Sequence, residues 1–177
     1  MPSAFPVFFD VDVVGGRPLP IEVGWAFVGD DQKSVISESY FVKPEEWKAG
    51  NDWGHSEDQE TRISDVLTAG RSVVQIARRL NVALADRNVF ADDPFDEEWL
   101  IGMYDAVGVE PSFKIRRLLA KMLVQKCADV LGMSSTAFSR LQGAVERAGP
   151  RTQNAEANAR HLALLWLTVT QTTNSMG

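Results

Sequence analysis

The sequence predicts an α/β fold on a mixed sheet, and three observations predict it. Apolar, β-prone runs crowd residues 5–42, apolar residues recur at helical spacing from residue 72 onward, and one short β-like run interrupts the helices. At 177 residues, 45% apolar and 24% charged, the chain suits one domain with a sizeable core, expected over residues 1–177. No repeat, low-complexity segment or linker divides it.

The elements follow in order. Phe5 to Val11 is apolar and β-prone, and Val13 to Pro20, with paired glycines and prolines, reads as turn material. Glu22 to Val28 is a second strand, Gly29-Asp30-Asp31 a hairpin turn, and Ser34 to Val42 a third strand, which makes an antiparallel meander. Pro44 to Glu60 is polar and expected to be irregular. From Ser72 to Leu84 the residues Val73, Ile76, Ala77, Leu80 and Leu84 repeat as one helical face. Asn88 to Ala91 is short and β-like. Phe95 to Val107 reads as a helix stopped by Gly108, and Lys114–Leu131, Thr136–Ala148 and Ala155–Thr170 as further helices.

Chemistry enters with Asp10 and Asp12, at the end of the first strand. Alternate residues of a strand share a face, so the two carboxylates project side by side, roughly 7 Å apart along the strand. Such a pair repels unless a cation sits between, and hard cations such as Mg²⁺ or Mn²⁺ suit oxygen ligands. The same spacing also arises where a strand frays into solvent. A second acidic run, Asp92 to Glu98, opens the helix after the short strand, where the helix dipole alone would favour acids. Within it Asp96 stands just inside the helix, placed to reach the first pair.

Four segments in this order carry a resemblance: FFDVD (residues 8–12), PIEVGWAFV (20–28), RLNVALADRNVFADDPFDEEWL (79–100) and QNAEANARHLALLW (153–166). Together they resemble the DEDD-type 3′–5′ exonucleases (DEDDh) of the ribonuclease H-like superfamily, from Val7 to about Leu167. The resemblance implies a ribonuclease H-like mixed sheet, antiparallel meander first and parallel strands after, flanked by helices. It also implies four acids holding two divalent ions, Mg²⁺ or Mn²⁺, and a His general base that together hydrolyse a terminal phosphodiester. By position Asp10 matches the first acid, Asp12 the second (Glu in the family) and Asp96 the second-motif acid. Gln153 falls where the family has its His, and Asn158 where it has the last acid.

These departures have chemical consequences. Asp12 keeps the charge on a shorter stem. Gln153 cannot take a proton at neutral pH, and Asn158 offers a neutral carbonyl in place of a carboxylate. No nearby residue obviously replaces them. His161 shares a helical face with Asn158 but reads as a packed helix histidine, Glu156 points away, and His55 lies in the polar loop. Trp47, Trp53 and Trp99 are candidates to stack on a base, with burial the commoner outcome for Trp99. Cys127 shares a helix face with Leu123, Val130 and Leu131 and is expected in the core.

Two function classes follow: a metal-dependent 3′–5′ exonuclease with weakened activity on single-stranded or short nucleic acid, or an inactive module of the same fold that binds nucleic acid or protein. The expected partner is a single-stranded DNA or RNA 3′ end. The net charge of −6 argues against a broad nucleic-acid-coating surface but not against an acidic site admitting one phosphodiester at a time. One cysteine excludes an internal disulfide framework, and no Cys/His cluster suggests zinc. No apolar run approaches the roughly 20 residues that span a bilayer, and no basic leader precedes the first strand, so a cytoplasmic protein without membrane contact is expected. A homodimer is compatible with the sequence.

Overall fold

The computed structural model describes residues 5–14, 19–43, 66, 68–148 and 154–174. The expected loop over Pro44–Glu60, with Trp47, Trp53 and His55, lies outside the described residues, as does Gln153. Five strands form one mixed sheet in the order β3-β2-β1-β4-β5. β1 (Val7–Val14), β2 (Leu19–Val28) and β3 (Val35–Phe41) make the antiparallel meander, while β4 (Asn88–Ala91) runs parallel to β1 and β5 (Lys114–Arg116) parallel to β4. β1 and β2 run further toward each other than the turn residues suggested, with a register shift between Asp12 and Val13.

Among the described residues five helices cover the sheet: α1 (Val73–Ala83), α2 (Pro94–Val107), α3 (Ala120–Val130), α4 (Ser135–Ala148) and α5 (Ala155–Asn174). The strict alternation of β1 divides the core. Val7, Phe9 and Val11 pack with Val23, Trp25, Ile76, Leu80 and Leu100 under α1 and α2. Phe8 and Ala26 face the other way, against Val124, Phe138, Leu162 and Ala163 of α3, α4 and α5. Asp10 and Asp12 belong to this second face.

Two expectations are corrected. The helix expected over Lys114–Leu131 is a strand followed by a shorter helix, because Lys114–Arg116 pair in parallel with Asn88–Phe90. Three residues are too few to show alternation in a sequence, so helical spacing further along masks the strand. Cys127 and Leu123 are partly buried and pack against the core, but Val130 and Leu131, expected on the same face, are 77% and 40% exposed. The buried stripe of α3 is instead Ala120, Val124 and Ala128, at spacing four, which turns Val130 outward.

Candidate active site

β1 and β4 are parallel neighbours, so their carboxyl ends open on the same side, the place where α/β sheets hold ligands. β1 brings Asp10 and Asp12 there. From β4 the chain turns directly into α2, started by a capping box. Asp93 Oδ1 accepts from the Phe95 and Asp96 amides at 2.7 and 3.1 Å, and Asp96 Oδ2 accepts from the Asp93 amide at 3.1 Å, with Pro94 opening the helix. The other Asp96 oxygen accepts from the Val11 amide of β1 at 3.2 Å, 85 residues away in sequence. Asp96 thus joins helix start to central strand, and it is 1% exposed.

The roof of the site is the first turn of α5. Gly24, beside Asp10 in the β1–β2 register, lets it come close: a Cβ there would run into the backbone of Ala155 and Glu156. Asn154 caps this turn, its Oδ1 accepting from the Ala157 amide at 2.7 Å. One turn on, Asn158 Nδ2 donates to Asp10 Oδ2 at 3.1 Å. Glu156 points toward β3 instead, where it accepts from Ser37 at 2.7 Å and Ser39 at 3.5 Å. His161 is buried on α5, 4% exposed. Trp99 stacks on Phe9, ring centroids 6.5 Å apart, and so belongs to the core on the opposite face.

The structure therefore gathers Asp10, Asp96 and Asn158 around the end of β1, with Asp12 two residues further along the same face. Burial pushes the Asp10 carboxyl up to about 7; the Asn158 hydrogen bond opposes this, and the charges of Asp92, Asp12 and Asp93 add to it. Burial, followed by the charges of Asp10 and Asp93, pushes Asp96 up to about 8 against its two backbone hydrogen bonds. Near neutral pH such a pair needs protons or a cation.

Among the described residues no three His, Cys, Asp or Glu side chains stand close enough to cage an ion as they are. A hydrated Mg²⁺ or Mn²⁺ asks for less, one or two carboxylates with waters or phosphate oxygens completing the shell. The donor set meets that requirement: Asp10 is 7% exposed, and a buried oxygen of Asp92, Oδ1, has no hydrogen-bond partner among the described residues. Sequence reasoning did not single out Asp92, because it reads as one more acid before a helix. Only the β1–β4 register sets it beside Asp10.

No known family model and no curated protein sequence matches the chain. Among solved structures, the chain is similar to the nuclease domain of 3′hExo, a DEDDh family member, bound to rAMP. The likeness has a TM-score of 0.58 at 10% identity and covers 97% of this chain and 95% of that one. With its mixed five-stranded sheet flanked by helices, the chain has a ribonuclease H-like fold.

Proposed function

We propose that this chain is a metal-dependent 3′–5′ exonuclease-like protein that hydrolyses terminal phosphodiesters of single-stranded or short nucleic acid, with weakened activity. The observation that carries the reading is the gathering of buried Asp10 and Asp96 with Asn158 at the carboxyl end of β1, on a nuclease-like fold. Burying two carboxylates side by side costs several kcal/mol unless a proton or cation offsets it, so chance seldom assembles such a pair. The chemistry a bound Mg²⁺ or Mn²⁺ supplies is polarisation of the phosphoryl oxygens and a more acidic water.

The residues of the chain explain the weakening. Asn158 turns an N–H toward Asp10, so its amide fills part of the space a cation would use. Rotating that amide presents the carbonyl instead, a neutral ligand where a carboxylate would hold more tightly. Gln153 orients a water at best and cannot take its proton. One weakly held ion follows, Mn²⁺ more tightly than Mg²⁺.

The test is restoration. Asn158→Asp with Gln153→His supplies both acid and base, and each alone should do less than the pair. Degradation of a labelled single-stranded oligonucleotide should rise by about 10² to 10⁴, the usual contribution of a general base. A double variant that folds and binds Mn²⁺ yet leaves the oligonucleotide intact would sink the nuclease reading.

A further inference from the structure

Resting on the nuclease reading, the geometry points to Asp92 as a ligand of the divalent cation, a stand-in for the carboxylate that Asn158 lacks. The β1–β4 register pairs Phe8 with Phe90 and Phe9 with Ala91, and the Asp92 amide extends the ladder by donating to the Phe9 carbonyl at 3.0 Å. Asp92 is therefore level with Asp10, on a neighbouring strand path roughly 4.8 Å away. Alternation gives it the face of Phe8, Phe90 and Asp10, the face roofed by α5. Asp12 is farther along the same strand, about 7 Å from Asp10.

Two further observations agree. Asp92 Oδ1 is buried without a hydrogen-bond partner among the described residues, whereas both Asp96 oxygens are engaged by backbone amides. A buried carboxylate oxygen left unsatisfied is costly, and a cation is the partner that removes the cost. Asp92 and Asp96 both act electrostatically on the Asp10 carboxylate, so all three acids share one neighbourhood. Asp92 thus offers Asp10 a second carboxylate with a free oxygen, while Asp96 also holds α2 to β1.

Mn²⁺ titration followed calorimetrically tests this in the whole chain, with no need for turnover. Asp92→Asn should weaken Mn²⁺ binding at least tenfold. Asp93→Asn removes the same charge one residue away while an Asn still caps α2, and it should change affinity less than threefold. The swap Asp92→Asn with Asn158→Asp, which keeps the number of acids, should return affinity to the wild-type value. That swap carries the comparison if Asp92→Asn alone does not fold. Equal weakening by the Asp92 and Asp93 variants, or a swap that stays as weak as Asp92→Asn, overturns the assignment while leaving the nuclease reading intact. A wild-type chain that binds no Mn²⁺ at millimolar concentration overturns both.

Discussion

In metal-free solution the buried acids should make this protein less stable as pH rises from 5 to 8. Folding lifts Asp10 to about 7, chiefly by burial, from an unfolded value near 3.8. A carboxyl whose folded pKa is raised contributes stability that is complete below its unfolded pKa and disappears as pH climbs through the folded one. Between pH 5 and 7 the unfolded chain carries Asp10 ionised while the folded chain keeps it neutral. One proton of difference is worth about 1.4 kcal/mol per pH unit, so Asp10 alone removes roughly 2–3 kcal/mol over that interval. That is a large share of the about 5–15 kcal/mol that holds most domains folded. Asp96, raised to about 8, acts in the same direction, but its repulsion with Asp10 is shared, so the two losses do not simply add. The perturbation is Asp10→Asn, which keeps the side chain's size and an oxygen able to accept from Asn158. Urea unfolding followed by tryptophan fluorescence, with EDTA present, should show the variant gaining on the wild type by roughly 2–3 kcal/mol between pH 5 and 7. Millimolar Mn²⁺ should restore the wild type at pH 8 and leave the variant unchanged. Stability curves that run parallel across this range, within about 0.5 kcal/mol, would refute the electrostatic account of the site.

Two structural predictions accompany it. Gly24→Ala drives a methyl into the first turn of α5 and should cost about 1–3 kcal/mol, visible as a lower urea midpoint, with faster amide exchange in that turn and weaker Mn²⁺ binding. Far from the site, Tyr104 shares its one hydroxyl proton between the Ala77 carbonyl at 3.0 Å and Asn81 Oδ1 at 2.9 Å, tying α2 to α1. Tyr104→Phe should cost about 1–2 kcal/mol in the same unfolding experiment and leave metal affinity within error.

Local signals determined much of this protein. Apolar, β-prone runs mark β1 to β3, and the two-residue repeat of a strand already assigns Asp10 and Asp12 to one face. The helical repeat after Ser72 marks α1, and Gly108, at φ +64°, ends α2 where expected, since a left-handed residue there suits glycine. Each of these depends on neighbours a few residues apart, so each is written in a short window of sequence. The rest was decided by tertiary contact. β5 exists because β4 offers it an edge, not because three residues announce a strand. The face that α3 buries was settled by its packing with Phe138 and Leu162, which left Val130 outside. At the site, the sequence singles out Asp96, and the fold holds it there by hydrogen bonds to the amides of Val11 and Asp93. Asp92 reads as an ordinary helix-start acid, yet parallel pairing across a long crossover sets it level with Asp10. Strand register between segments so distant in the chain leaves no periodic trace in either, because it is set by which backbone edges meet once the two layers of helices have closed on the sheet.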